Sequence, residues 1–119
     1  MREMIYIAGP YTKPDPDENT RKAMEVWHQL ADLGFVPFLP HLSHFLEQHR
    51  TRPYAYWLEY DNQFIPFCKG LLRMPGESSG SDKEVMLAEV LGIPVFHSIE
   101  ELDEYFAASR ELVNPTPEA

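Results

Sequence analysis

Cysteine, long apolar runs and positive charge are all scarce in this chain, and each scarcity removes a class of function. Cys68 is the only cysteine among 119 residues, which excludes an internal disulfide and leaves a zinc site without its usual thiolates. No stretch approaches the roughly 20 apolar residues of a membrane span, and the apolar run in the opening MREMIYIAG is too short for a secretory signal. A soluble, cytoplasmic protein with no membrane partner is expected. Lysine and arginine number 10 against 19 aspartates and glutamates, for a formal charge of -9. The acids are spread along the chain, so a nucleic-acid polymer would be repelled. Any nucleotide-sized ligand must be held by local dipoles and a few donors.

What is present is the composition of one globular domain, 44% hydrophobic and 24% charged, at a length that lets folding bury roughly two thirds of the unfolded surface. Met4-Ile5-Tyr6-Ile7-Ala8 is a continuous apolar run stopped by Gly9-Pro10, the pattern of a strand covered on both faces. Lys13 to Asn19 carries prolines and acids and reads as a loop. Ala23, Val26, Trp27, Leu30 and Ala31 then recur at helical spacing up to a capping Gly34. Phe35 to Leu39 is a short strand that Pro37 sends to the sheet edge. From Pro40 to Pro53 the pattern is irregular and predicts a short helix and a loop. Tyr54 to Cys68 reads as a helix with Trp57, Tyr60, Asp61, Phe64, Ile65 and Cys68 on one stripe, kinked or ended by Pro66.

Gly70 to Met74 is a third strand, Asp82 to Leu91 a helix capped by Gly92, and Ile93 to Phe96 a fourth strand. Ile99 to Ser109 makes a closing helix, and residues 110–119 read as a flexible tail beyond a single domain of residues 1–109. Strands alternating with helices predict an α/β fold: a small Rossmann- or flavodoxin-like three-layer sandwich whose parallel sheet of four to five strands has the order 2-1-3-4. In such a sheet ligands bind outside the carboxyl ends of the strands, where the order reverses between the first and third. That singles out Gly9-Pro10-Tyr11 and the loop from Pro75 to Ser81.

The second of these loops offers backbone N–H groups and hydroxyls at a helix N-terminus, where an anion fits. It has neither a Walker ending nor a dinucleotide fingerprint. Glu84 shares a helix face with Ala88 and Leu91, which are expected to pack on the sheet, so its side chain points inward. The alternative is a capping box, in which Glu84 bonds back to the N-cap at Ser81. Asp61, on an aromatic stripe, is either a polar margin or the second of two carboxylates that glycoside chemistry requires, one attacking the anomeric carbon and one assisting the leaving group. Tyr6 would orient the nucleophile or be a core tyrosine. His41, His44 and His49 match no common zinc spacing, so neither a metal nor a cofactor is expected. His41, His44 and Phe45 are pocket-lining candidates, with Tyr11 and Phe45 the better platforms for stacking a base.

Taken together, IYIAGPYT, Asp61 ahead of CKGLLR, and PGESSGSDKEVMLAEVLGIPVF resemble the nucleoside 2-deoxyribosyltransferase-like superfamily, which includes nucleoside 5′-monophosphate N-glycosidases. The resemblance runs from Met4 to about Phe106. It implies Glu84 as nucleophile, Asp61 as the group assisting base departure, Tyr6 as the first-strand tyrosine, and Ser78 against a 5′-phosphate. Gly80 and Ser81 would join Pro10 and Tyr11 around the substrate, and Gly9 would be the small residue that lets it approach. The resemblance also implies a homodimer or higher homo-oligomer and a small-molecule nucleoside or nucleotide as partner. Lys69-Gly70 replaces the acidic pattern usual before the third strand, and residues 40–53 have no counterpart in it. The expected activity is cleavage or transfer of an N-glycosidic bond through a glycosyl-glutamate; a non-catalytic nucleotide-binding or sensing module of the same fold is the alternative. A flavodoxin-like flavin protein would need a phosphate loop after the first strand, where Gly9-Pro10-Tyr11 fits poorly.

Overall fold

The computed structural model describes residues 1–113. Four parallel strands, β1 (Met4–Ala8), β2 (Val36–Phe38), β3 (Gly70–Arg73) and β4 (Val95–Phe96), form one sheet in the order β2-β1-β3-β4, as predicted. Proline at 37 is tolerated because β2 is an edge strand. Alternation along β1 divides the core in two. Ile5 and Ile7 face one layer with Leu72, where helices α1 (Pro16–Asp32) and α5 (Ile99–Val113) add Ala23, Leu30, Leu102 and Phe106. Tyr6 and Ala8 face the other with Leu71, where Ile65, Cys68 and Ala88 close the layer. The second layer holds α3 (Tyr54–Asn62) and α4 (Ser79–Val90), while the short α2 (Ser43–His49) follows β2. No helix among the described residues is long and apolar enough to cross a membrane.

Several boundaries differ from the sequence expectation, each for a local reason. Residues 16–19 belong to α1 and not to a loop: Asp15 caps the helix by accepting the Asp17 N–H at 3.1 Å, Pro16 takes the first helical position, and Asp17 and Glu18 suit the first turn. The helix begun at Tyr54 ends at Asn62, and a 3₁₀ turn over Ile65–Phe67 precedes β3. Its buried stripe is Asp61, Ile65 and Cys68, whereas Tyr60 is exposed. At the other end, α5 continues through Val113, past the end expected at Ser109; residues 114–119 of the expected tail lie outside the described residues. Ile93 and Pro94 precede β4 and are not part of it, and Gly92, at φ +74°, stops α4.

Gly70 at the start of β3 lies under two rings: a Cβ there would stand 3.2 Å from Phe106 and 3.2 Å from Phe96. Both rings are buried, with centroids 5.8 Å apart, so neither has free space to retreat into. Gly70→Ala is expected to destabilise the protein by about 1–3 kcal/mol through overpacking, measured by denaturant unfolding. An unchanged midpoint would mean that this layer can expand.

Candidate active site

Tyr6 is placed by register. It pairs with Phe38 on one side and Leu71 on the other, and its ring stacks on Phe38, which in turn stacks on Phe64. Wholly buried, its hydroxyl donates a short hydrogen bond to Glu84 Oε2. Glu84 comes from α4 and is itself buried, as is Asp61 from α3. The three side chains meet on the α3–α4 face of the sheet.

Burial sets their protonation. Desolvation pushes Glu84 up to about 7, while the Tyr6 hydrogen bond and the positive charge of Arg73 hold it back. Asp61 is pushed further, to about 8, by desolvation and then by the charge on Glu84, with no compensating donor. Tyr6 is raised far above the ordinary phenol range by burial and by Glu84, so it stays a donor. Near neutral pH the arrangement therefore favours an ionised Glu84 beside a protonated Asp61.

The cap of α4 excludes one reading of Glu84, the capping box. Ser78, not Ser81, is the N-cap: its Oγ accepts the Ser81 N–H at 3.1 Å and its hydroxyl donates to Ser81 Oγ at 3.0 Å. Gly80 and Ser81 thus lie in the first helical turn, and Glu84 is not the return arm of a capping box. Ala88 shares its inward face as expected, but Leu91 caps the helix end and is exposed.

The first loop is held from several sides. His41, buried, donates from Nε2 to the Pro10 carbonyl at 2.9 Å, which leaves its buried Nδ1 unpartnered; burial lowers its pKa. His44 Nε2 lies 2.7 Å from Asp17 Oδ1, and in the neutral ring Nδ1 then accepts from the Tyr11 hydroxyl at 2.7 Å. Asn19 Nδ2 donates to the carbonyls of Tyr11 and Lys13. Pro10 packs on Gly76, where a Cβ would stand 2.8 Å from Pro10 Cγ and the backbone has φ +114°, so the two loops touch. Close approach at Gly9 is to Met74, whose Sδ would lie 2.9 Å from a Cβ there. That is a packing requirement within the chain itself. Phe45, expected on a loop, is on α2, exposed and edge-on to His44.

Two residues near the carboxyls escaped the sequence reading. Arg73 ends β3, donates to the Met74 and Gly76 carbonyls and pairs with Asp82 at 3.1 Å. It ties the loop to the helix it feeds. Its position at the carboxyl end of a strand next to the switch point was the available signal. Tyr54 lies seven residues before Asp61, a spacing that puts both on one face of α3. Among the described residues no group of three or more His, Cys, Asp or Glu is arranged to hold a metal.

Residues 3–98 match the family model described as "Domain of unknown function (DUF7768)". The chain belongs to the DUF7768 family. No curated protein matches it. Among solved structures this DUF7768 chain is similar to a 2-desoxiribosyltransferase from Leishmania mexicana, with a TM-score of 0.59 and 20% identity. That comparison covers 79% of this chain and 62% of the other. A 2-deoxyribosyltransferase from the psychrotolerant bacterium Bacillus psychrosaccharolyticus gives a TM-score of 0.57 at 20% identity, covering 81% and 75%. DUF7768 in this chain thus has a nucleoside 2-deoxyribosyltransferase-like fold.

Both buried carboxyls hold their protons more tightly in the folded DUF7768 chain than when unfolded. Folding is therefore favoured while the protons are on, and this contribution is lost as pH rises from about 4, the unfolded value, through 7 to 8. The melting temperature is expected to be higher at pH 5 than at pH 8.5. Combining Glu84→Gln with Asp61→Asn should flatten the difference, and an equally steep profile in the double variant would contradict the shared burial.

Proposed function

We propose that this protein cleaves or transfers the N-glycosidic bond of a nucleoside or nucleoside 5′-monophosphate through a covalent glycosyl–Glu84 intermediate. The observation that carries the reading is the burial of Asp61 and Glu84 on one face, with the Tyr6 hydroxyl given to Glu84 alone. Two neighbouring carboxyls whose environments separate their protonation supply a nucleophile and an acid from the same residue type. The fold it shares with two 2-deoxyribosyltransferases supports the same direction.

In the first step a Glu84 oxygen bonds to C1′ as the C1′–N bond breaks. The electron pair leaves with the base nitrogen, which takes the Asp61 proton. In the second, Asp61, now ionised, removes a proton from water or from an incoming base, whose lone pair forms the new bond to C1′ and displaces the Glu84 oxygen. Two displacements retain the configuration at C1′. The oxocarbenium-like transition state is cationic, and anionic Glu84 in a desolvated site stabilises it more than the neutral sugar. Tyr6 fixes the carboxylate, and its stacking between strands keeps the hydroxyl in place. A 5′-phosphate would meet the Ser78 hydroxyl and the first N–H groups of α4 at Gly80 and Ser81, with Tyr11 and Pro10 on the facing loop.

Incubation with a panel of nucleosides and 5′-monophosphates should release free base. Glu84→Gln is expected to lower kcat by at least ~10³-fold, Asp61→Asn by about 10²–10⁴-fold, and Tyr6→Phe by roughly 10- to 100-fold through loss of a hydrogen bond to a charged group. Activity should peak near neutral pH, falling below about 7 as Glu84 takes a proton and above about 8 as Asp61 loses its own. Mass spectrometry should find the sugar on Glu84; undiminished turnover by the Glu84→Gln protein would end the proposal.

A further inference from the structure

Tyr54 opens α3 and shares a face with Leu58 and Asp61, four and seven positions on. That face lies against the first turn of α4. A Cβ on Gly80 would collide with the Tyr54 hydroxyl and would meet Leu58 Cδ1 at 3.4 Å. Any Cβ at position 80 would force the phenol out of this place. The residue is half exposed, with the buried Glu84 and Asp61 near its hydroxyl. Burial first, and then the charges of Glu84 and Asp61, hold its proton more tightly than in a free phenol, which keeps the hydroxyl a donor. Among the described residues no group accepts a hydrogen bond from it.

A ring that only covered Leu58 and the start of α4 would need no hydroxyl. Phenylalanine would do the same, and position 80 would have less reason to lack a Cβ. The hydroxyl instead stands against the first turn of α4 at Gly80, within reach of the charges of Glu84 and Asp61. We infer that Tyr54 contacts the substrate, donating a hydrogen bond from its hydroxyl to an oxygen of the pentose held between Asp61 and Glu84, and so discriminates among sugars by their hydroxyl groups. The assignment rests on the glycosyl chemistry proposed above.

The test compares wild type with Tyr54→Phe on ribo-, 2′-deoxyribo- and 2′,3′-dideoxyribonucleosides and their 5′-monophosphates, with thermal melts in parallel. On substrates that carry the contacted hydroxyl, kcat/KM should fall roughly five- to tenfold. On the analogue lacking that hydroxyl the two proteins should be equal, and the melting temperature should not change. Gly80→Ala, which leaves no room for the phenol in place, should produce a similar loss although alanine is the better helix former. A Tyr54→Phe protein as active as wild type on every substrate, or weakened equally on all of them, overturns the assignment. If wild type releases no base from any compound, the glycosyl reading fails separately, and Tyr54 is then judged by calorimetric titration of the same ligands. Weaker binding of the hydroxyl-bearing ligands alone by Tyr54→Phe supports the contact; equal binding, or none by either protein, overturns it.

Discussion

A carboxyl group withdrawn from water must either find a donor or keep its proton, and the two on the α3–α4 face take one route each. Glu84 receives the Tyr6 hydroxyl and feels Arg73; Asp61 has neither and holds its proton to a higher pH. The rest of the architecture is arranged around this inequality. Tyr6 reaches Glu84 only because β1 lies beside β3, so that the helix leaving β3 passes over the middle of β1. Asp61 joins them because α3 and its 3₁₀ extension pack Ile65 and Cys68 onto the same layer. A one-residue slip of β1 would turn Tyr6 to the opposite face and leave Glu84 buried without its donor.

Rigidity of the surrounding loops follows from a second set of contacts, most of them from residues with no counterpart in the resemblance read from sequence. The segment after β2 delivers His41 to the Pro10 carbonyl and His44 to Tyr11 and Asp17. Glu47 accepts the Arg52 N–H and the Trp57 indole N–H, which fastens α2 to the start of α3. The histidines are thus tethers for the first loop. Arg73 does the same for the second loop, and Pro10 against Gly76 joins the two. Side chains that meet a ligand from such loops start near their working positions, which is the condition for electrostatic preorganisation.

The strand order and the edge position of β2 were legible because they depend on periodicity and on the fixed handedness of parallel crossovers; for Tyr6, Asp61 and Glu84 spacing left two readings each, and only the family resemblance grouped them. Helix starts were less legible. Asp15-Pro16 and Ser78 are both caps preceded by loop-like composition, and proline or serine at the first helical positions reads as loop until the cap is identified. The same error hid the role of Gly80: placed in a loop it is a flexible residue, placed at the second position of a helix it is a gap filled by Tyr54. Arg73 and Tyr54 went unread because their significance lies in what they approach across the sheet or the helix pair. Spacing along the chain does not carry that information.

Tyr6, Asp61 and Glu84 are also a poor choice if stability alone had shaped the fold. Three apolar side chains of similar volume would fill the same layer without desolvating two acids, and exchanges of that kind for buried ionic groups are often neutral or stabilising. Two acids buried beside a central strand, against core clusters built of apolar side chains, are the pattern expected where a chain gives up stability for a task. The two carboxyls also differ in the way a task would require. A structural pair could be satisfied symmetrically by two donors, yet here the single phenol goes to Glu84 and Asp61 is left to keep its proton. An asymmetric acid pair in one buried site is what a reaction needs when it must present an anion and a proton to opposite ends of one bond.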